Sequence, residues 1–366
     1  MSQLAEQATP TGAGHEVLDE LDRDRTRRRT RLWLGGLTAL LAVTVPVATG
    51  LGPVGISPAT VAKIVFHHLF GWPQTVSWSA AQDAIVEQVR IPRVLLGAVV
   101  GAGLAVTGTA LQAMVRNVLA DPYLLGVTAG ASTGAAATIL FGVGTSLGAS
   151  SLTGSAFIGA LASMAIVFAL AKIGGRITSI RLLLAGVAVG YVLSAATSFM
   201  IFTSDSEQGA RNVLFWLLGS LTLAVWSSVV IAGLVVTATV GVLLLWARRL
   251  DALAIGDETA RAIGVSPTRV RTQLLLVVSL GVGAVVAVSG GIGFVGLVAP
   301  HIARLCVGGT PRRVLPTAAL IGAVFLIWAD AFARVVLAPA EMPLGIVTAI
   351  VGAPMLLILV RRFHAS

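Results

Sequence analysis

The sequence predicts an all-α protein that crosses a membrane about ten times, and three features of its composition carry this prediction. Hydrophobic residues make up 56% of the 366 residues, charged residues only 11%, and the mean hydropathy is +0.92. A soluble fold of this length has too little interior to bury so much apolar surface, so the surrounding solvent is a bilayer. Gly is abundant at 41 residues and aromatic residues are sparse at 6%, which suits close helix–helix contact in lipid better than an aromatic-girdled β-barrel.

Ten apolar runs have the length of membrane spans, because a helix needs about 20 apolar residues to cross a bilayer. We expect these spans at 32–52, 93–115, 121–142, 152–172, 181–202, 223–247, 271–289, 292–307, 314–337 and 343–361. A further apolar stretch, 213–223, is not counted among them. Together the spans make one transmembrane domain over 32–362. The polar residues 1–31 are expected to form a disordered cytoplasmic tail.

The basic residues follow the rule that cytoplasmic loops of membrane proteins are rich in Lys and Arg. With ten spans and the N-terminus inside, twenty of the 25 Lys and Arg residues lie on the cytoplasmic side. A wrong number of spans would reverse all later loops and remove this bias, so we expect both termini in the cytoplasm. The same distribution accounts for the net charge of +9 without a nucleic-acid partner. The exceptions are Lys63, Arg90, Arg93, Arg211 and Arg334.

Two glycine-rich stretches resemble one another, 101–108 in the second span and 281–290 in the seventh. These spans run in opposite directions across the membrane in the predicted topology. An inverted internal repeat of the kind found in transporters would give this pattern. Chance similarity between Gly/Ala/Val-rich helices explains it equally well, and both interpretations stay open.

The chain lacks the sequence of a Walker A phosphate loop, and its two lysines both follow alanine. Its one cysteine, Cys306, cannot form an intrachain disulfide or, by itself, a Cys-based metal site. His67 and His68 lie in an outer segment and His301 near the end of a span, where structural or interfacial roles are the ordinary ones. We therefore expect no enzymatic activity, no resident metal and no cofactor.

The positions of the carboxylates separate two classes of transporter. An ion-coupled carrier ordinarily buries an ionisable group near the middle of the membrane. Here the relevant carboxylates fall in predicted loops or at predicted span ends: Asp121, Asp205, Glu207, Asp330 and Glu341. This disfavours a secondary transporter, although an ion site built from backbone oxygens would escape the test. A membrane enzyme is disfavoured because no catalytic residues cluster near one leaflet.

The longest basic inner loop, 248–273, is predicted to contain a short helix over 257–264. Asp257 can cap the start of this helix, and Gly264 suits a left-handed residue after its end. Three apolar residues, Ala260, Ile263 and Val265, would then form a small exposed surface. The helix is either an ordinary connection lying on the membrane surface or a rigid docking element for a soluble partner.

The arginines on the opposite side are also open to two interpretations. Arg90 and Arg93 precede the second span, and Arg334 ends the ninth, against the inside preference for positive charge. Such arginines contact either lipid headgroups or acidic groups on a partner outside the cell. Charge alone favours the headgroups.

Eight short motifs follow one another in a fixed order along residues 35–362. They are Arg90-Ile91-Pro92-Arg93 and the segments 112–127, 181–187, 215–220, 256–264, 294–304, 329–334 and 343–348. Together they resemble the FecCD-type permease family, the membrane subunits of ABC importers for iron–siderophore, haem and cobalamin. One departure is Asn117-Val118-Leu119 in place of the usual Asn-Pro-Leu, which predicts a less rigid turn after the second span.

The resemblance implies a multi-pass protein of the cell membrane that works in a complex. Two permease subunits, identical or different, would surround the pathway and contact membrane lipid. Two ATPase subunits would sit inside, and a binding protein would deliver the substrate from outside. Iron–siderophore uptake is the commonest task of the family, with haem, cobalamin and molybdate as alternatives.

The resemblance also assigns roles to residues of this chain. Arg90, Arg93 and Arg334 match arginines that pair with glutamates on the binding protein. Asn117 and Leu119 match positions near the cytoplasmic gate. The ATPase-coupling element would comprise Leu253, Ile255, Gly256, Asp257, Ala260, Arg261, Ile263, Gly264 and Val265.

Overall fold

The computed structural model describes residues 12–172 and 177–364, and this part of the chain is all-α, as predicted. Seven of its helical segments are long and apolar enough to cross a membrane, and three shorter apolar helices lie within α5, α13 and α15. They fall where the ten spans are expected. The helices are α1 (Gly12–Gly50), α2 (Pro58–Phe70), α3 (Ala80–Ala84), α4 (Ile91–Val115), α5 (Val127–Phe141), α6 (Ser151–Ala171), α7 (Ser179–Phe202), α8 (Glu207–Leu217), α9 (Trp226–Leu245), α10 (Ala247–Ile255), α11 (Asp257–Ala262), α12 (Pro267–Ser289), α13 (Val295–Val307), α14 (Pro311–Val335) and α15 (Leu344–His364).

The first helix begins much earlier than the first predicted span. The expectation of disorder over 1–31 is wrong for residues 12–31, which form the first turns of α1. Residues 15–34 contain no Gly or Pro and are rich in Arg and Leu, so their helix propensity extends the span beyond its apolar part. Residues 1–11 of the predicted tail, and Arg176 of a predicted inner loop, lie outside the described residues.

The second span is also longer than predicted. Helix α3, a π-helical segment (Ile85–Arg90) and α4 form one continuous helical stretch from Ala80 to Val115. The sequence suggested a start at residue 93 because two arginines and Pro92 interrupt the apolar run. Pro92 lies in the first turn of α4, where a missing backbone N–H leaves no helical hydrogen bond unmade.

Helix α4 lies at the centre of the bundle and packs against α9, α12, α13 and α14. Its glycines allow this close packing. A Cβ added to Gly101 would lie 2.1 Å from the carbonyl oxygen of Gly322 on α14, so no larger residue fits there.

Contacts between α4 and α12 show that these two helices are antiparallel. Gly103 faces Val285, and four residues later on α4, Thr107 faces Gly281. The opposite directions predicted for the second and seventh spans are therefore present in the structure. The inverted repeat itself stays a prediction.

The apolar stretch 213–223 forms the end of α8 and a turn rather than a span. Backbone hydrogen bonds attach this turn to two other elements. The Ser220 N–H donates to the Ser289 carbonyl at 2.8 Å, and the Leu344 N–H donates to the Gly219 carbonyl at 3.0 Å. The turn therefore connects the end of α12 with the start of α15.

Candidate functional site

The loop between α9 and α12, predicted at 248–273, contains two helices instead of one. Helix α10 precedes Gly256, whose backbone φ of 147° and ψ of 160° break the helical path, and α11 follows. Pro267 then starts α12 in its first turn, as predicted. The loop is a compact helical knob, which we call the α10–α11 knob, over residues 247–265.

The end of α11 is fixed by a Schellman motif. The Val265 N–H donates to the Ala260 carbonyl at 2.8 Å, and the Gly264 N–H donates to the Arg261 carbonyl at 2.9 Å. Gly264 has a φ of 79°, so the prediction of a left-handed glycine at this position is confirmed.

The start of α11 differs from the prediction, since Asp257 does not cap it. Gly256 occupies the capping position without a side-chain hydrogen bond, and Asp257 turns towards Arg271 on α12. Its two carboxylate oxygens accept hydrogen bonds of 2.8 and 2.7 Å from the two terminal nitrogens of Arg271. This bidentate pair holds the pKa of Asp257 below its usual range.

Arg271 attaches the knob to the bundle, a role that no pattern in the sequence predicts. Its side chain is 1% exposed. Besides Asp257, it donates to the Met114 carbonyl at the end of α4 and to the Ile177 carbonyl before α7, at 3.4 and 3.3 Å. One guanidinium therefore joins α11, α4 and the segment leading into α7.

The predicted coupling residues divide into an outward and an inward group. Ile255 and Ile263 are 68% and 63% exposed, which is unusual for isoleucines in a polar loop. Ala260 and Leu253 are fully buried, so the expectation that Ala260 contributes to an exposed apolar surface is wrong. Among the others, Arg261 and Gly264 are exposed, Asp257 and Val265 are half-buried, and Gly256 is buried.

At the other end of α4, Arg90 caps the end of α1. Its guanidinium donates to the carbonyls of Thr49 and Gly50, at 3.1 and 3.0 Å, and also to the carbonyl of Val54. The last carbonyls of a helix have no partner within the helix, so these bonds satisfy groups that would otherwise be unpaired.

Arg93 and Arg334 share one buried carboxylate. Arg93 lies 2.9 Å from Asp330 and 2.9 Å from Glu341, and Arg334 lies 3.0 Å from Asp330 one turn away on α14. Arg334 also donates to the Ala48 carbonyl at the end of α1. We call these four side chains the Arg93–Glu341 network. Glu341 lies outside the spans; burial alone would raise its pKa, but the hydrogen bond from Arg93 and the nearby charges bring it below the usual value.

The structure does not place the predicted binding-protein arginines on the surface. Arg90, Arg93 and Arg334 are 5%, 6% and 3% exposed, and each guanidinium is paired within the chain. The carboxylate and carbonyl partners remove the cost of burying an unpaired charge. The pairing with a binding protein that the resemblance implies for these arginines stays a prediction.

The predicted gate residues form a tight turn after α4. Arg116 has a φ of 56° and ends the helix. The Asn117 side-chain oxygen then accepts the Leu119 N–H at 2.9 Å, which closes a turn without the usual proline.

The two gate residues line different cavities. Leu119 borders a cavity of about 460 Å³ together with Tyr123, Phe294 and Leu297. Asn117 borders a smaller one of about 260 Å³ with Arg304 on α13. The turn thus lies between two openings in the surface of the subunit.

Serine patterns in the sequence do not form a catalytic site in the described part of the chain. Gly-x-Ser-x-Gly spacing, typical of hydrolase nucleophiles, occurs at 130–134 and 144–148. Ser132 lies inside α5, is buried, and donates to the Thr128 carbonyl at 2.8 Å. The second pattern lies largely in a 3-10 helix. Neither has the strand-to-helix elbow that exposes such a nucleophile.

Comparisons with known proteins agree on one family. The model of the FecCD transport family matches residues 40–362. The haemin transport system permease of Yersinia pestis is 40% identical, covering 92% of this chain and 97% of that protein. The cobalamin import system permease of Halobacterium salinarum is 40% identical, and the match covers 90% of this chain and 85% of that protein. The chain also resembles a solved inward-facing structure of a proposed metal-chelate type ABC transporter, with a TM-score of 0.78 and 32% identity. The match covers 90% of this chain and 98% of that chain.

Proposed function

This chain belongs to the FecCD transport family and is a multi-pass permease subunit of an ABC importer, and we propose that its cargo is an iron–siderophore complex. It is a transport component rather than an enzyme. In the proposed complex it pairs with a second permease, two ATPase subunits bind the α10–α11 knob, and a binding protein delivers the cargo at the opposite end.

The cargo proposal is supported by what the relatives share. Haemin and cobalamin are both metal ions held in an organic chelate, and the solved structure is described as a metal-chelate transporter. An iron–siderophore complex has the same chemistry. Haem, cobalamin and molybdate are the alternatives.

Uptake by cells tests the cargo. A strain lacking this chain should lose uptake of radiolabelled iron given as a siderophore complex, and the restored gene should recover it. Uptake of labelled haemin, cobalamin and molybdate is measured separately in the same strains. Loss of uptake for one of these, with siderophore uptake intact, would assign the cargo to that alternative.

The role of the α10–α11 knob is supported by its exposed apolar side chains on a fixed backbone. Ile255 and Ile263 protrude from helices held by the Schellman motif and by Arg271. Burying one Ile in a partner's cleft contributes roughly 1.5–3 kcal/mol. The bundle end that carries the knob is the cytoplasmic one in this proposal, which places both termini inside.

Co-purification with the ATPase tests the knob. Replacing both Ile255 and Ile263 with Ser should lower the affinity for the ATPase at least about a hundredfold, because each of the two contacts contributes more than the ~1.4 kcal/mol that equals a factor of ten. The permease itself should unfold at an unchanged temperature, since both side chains are exposed. Arg211→Ser, on exposed α8, is the matched control. Unchanged ATPase binding in the double variant would contradict the assignment.

The gate proposal concerns the turn after α4. Asn117 and Leu119 border two cavities beside the end of the central helix. The turn is closed by two hydrogen bonds, from the Leu119 N–H to the Asn117 side chain and from the Ala120 N–H to the Asn117 carbonyl, and so few bonds can rearrange at small cost. Asn117→Ala should therefore change the rate of transport more than the affinity for the binding protein.

Secondary transport is disfavoured by the pairing of Asp330. This carboxylate is buried in α14, but Arg93 and Arg334 both contact it within 3.0 Å. Its charge is therefore compensated by two guanidinium groups of the same chain, unlike an intramembrane acid left free to bind a coupling ion.

A further inference from the structure

Three side chains that belong to none of the sites described above converge on one point in the segment between α1 and α4. His68 Nε2 lies 3.1 Å from Asp83 Oδ2 and 2.9 Å from Glu87 Oε2. One donor atom from each residue lies within 4.8 Å of the other two. Helix α4 has 25 residues and so separates this point from the α10–α11 knob by about 37 Å.

The local fold brings these residues together from two elements. His68 lies in the last turn of α2, which ends at a left-handed Gly71. Asp83 and Glu87 are four residues apart in the continuous helix that leads into α4, so they share one face. A capping box formed by Ser79 and Gln82 fixes the start of that helix.

A buried tryptophan orients one of the carboxylates. The Trp78 indole N–H donates to Asp83 Oδ1 at 2.8 Å, and Trp78 is 8% exposed. Both oxygens lie near His68 Nε2, Oδ2 at 3.1 Å and Oδ1 at 3.3 Å, so the indole fixes the carboxylate with its free oxygen, Oδ2, closer to the histidine. Hydrogen bonds of this kind, made by a residue behind a ligand, hold metal ligands in position in known metal sites.

The charges at this point do not balance within the cluster. Two carboxylates direct oxygens at a single imidazole nitrogen, which carries at most one proton. While both carboxylates are ionised, net negative charge remains whether His68 is neutral or protonated. A divalent cation would neutralise it.

We propose that His68, Asp83 and Glu87 form a binding site for a divalent transition-metal ion, with Zn²⁺ the best fit. Zn²⁺ takes one nitrogen and two oxygen ligands at about 2.0–2.2 Å, which in a tetrahedron places the ligand atoms about 3.3 Å apart. The two observed separations of 2.9 and 3.1 Å need only a small opening. An imidazole ligand favours Zn²⁺ over Mg²⁺ or Ca²⁺, which prefer oxygen alone.

The fourth position of the metal would be open. The three side chains are 30–39% exposed, so water or a ligand atom of another molecule can reach the ion. The ion would tie the end of α2 to the helix three residues before Arg90, the residue that caps α1. The sequence alone predicts no metal here, because the three residues lie on two helices at positions 68, 83 and 87 and follow no known ligand spacing.

Equilibrium dialysis of the full chain in lipid nanodiscs, purified without a histidine tag, tests the proposal with Zn²⁺ as the probe. We expect one bound Zn²⁺ per chain and a rise in the unfolding temperature on its addition. His68→Ala and Glu87→Gln should each weaken binding at least tenfold and abolish the rise. Trp78→Phe should weaken binding by a smaller factor, since it leaves all three ligands in place.

Two controls keep the test specific. His67→Gln changes the neighbouring histidine, whose ring contacts the Pro73 carbonyl, and Glu207→Gln removes an exposed acid elsewhere; both should bind Zn²⁺ like the wild type. Glu87→Gln is close in shape to the native residue and should fold. If His68→Ala misfolds, Zn²⁺ binding by Glu87→Gln therefore still tests the proposal. No stoichiometric Zn²⁺ in the wild type, or binding by Glu87→Gln and His68→Ala as tight as that of the wild type, would overturn the proposal and leave a histidine–carboxylate salt bridge.

Discussion

At the scale of single residues, the described structure is held at both ends of α4 by buried arginines. Arg271 joins the knob to the bundle, while Arg90 and Arg334 donate hydrogen bonds to the last carbonyls of α1. Burying a guanidinium is costly unless its donors are satisfied, and here carboxylates and helix-end carbonyls satisfy them. These arginines are therefore structural ties, whatever further part they take in transport.

A charge reversal at Arg93 tests this view. Arg93→Glu would place a third carboxylate against Asp330 and Glu341, so we expect a loss of stability of about 3–5 kcal/mol or failure to fold. Arg211→Glu is the control, since Arg211 is 67% exposed and should change stability by less than about 0.5 kcal/mol. The measurement is thermal unfolding of the purified proteins in detergent. A stable Arg93→Glu variant that only fails to bind the binding protein would contradict the structural role and support the docking role that the resemblance implies.

Asp257→Asn tests the tie between the knob and Arg271. The variant leaves the fully buried guanidinium without its counter-charge but keeps one acceptor oxygen, so we expect a loss of about 2 kcal/mol. Glu258→Gln, the exposed neighbour, should have no measurable effect. Thermal unfolding and binding of the ATPase are the readouts, and equal stability of the two variants would argue against the tie.

The pH dependence of this difference follows from the lowered pKa of Asp257. A depressed folded-state pKa contributes stability above the unfolded value of about 3.8, and this stability is lost as pH falls through the folded value. The gap in unfolding temperature between wild type and Asp257→Asn should therefore be constant from pH 8 to pH 5 and close below about pH 4. A gap that closes near pH 6 would be inconsistent with the pair.

At the scale of elements, the α10–α11 knob depends on backbone geometry as much as on contacts. Gly264 has a φ of 79°, and a Cβ added there would meet no atom within 4 Å. Any effect of a substitution at this position therefore comes from the backbone and not from a clash.

A comparison of Gly264→Val with Gly264→Asn tests whether the left-handed backbone at this position shapes the docking surface. A β-branched residue resists positive φ, so Val should cost about 1–2 kcal/mol locally and weaken binding of the ATPase. Asn tolerates the left-handed region and should bind nearly as the wild type does. Affinity of the ATPase for each variant in nanodiscs gives the comparison. Equal affinities for Val and Asn would mean that the Schellman motif does not shape the docking surface.

The elements were predictable where the signal was local. Hydropathy located the spans, and Gly264 and Pro267 marked helix ends through their own backbone preferences. The ties were not predictable in this way, because Arg93 and Asp330 are 237 positions apart and no spacing rule connects them. Asp257 was predicted to cap α11 because it lies at the start of that helix. In the structure it instead accepts two hydrogen bonds from Arg271 on the next helix.

At the scale of the whole molecule, α4 connects the two ends on which the proposed partners act. Its first turn adjoins the Arg93–Glu341 network, and the Met114 carbonyl near its last residue accepts a hydrogen bond from Arg271. Gly101 and Gly103 let α9, α12 and α14 pack closely around it, so a shift at one end can move the packed helices as bodies. This arrangement suits a subunit that converts closure of an ATPase into opening of a pathway.

Reconstitution in liposomes tests the central claim, that transport by this chain is driven by ATP through a partner. The chain together with its ATPase, a second permease and the binding protein should accumulate the labelled iron–siderophore complex only when ATP is supplied to the ATPase. The chain alone should accumulate none under a proton or sodium gradient. Accumulation against a gradient without the ATPase would contradict the account and identify an ion-coupled carrier instead.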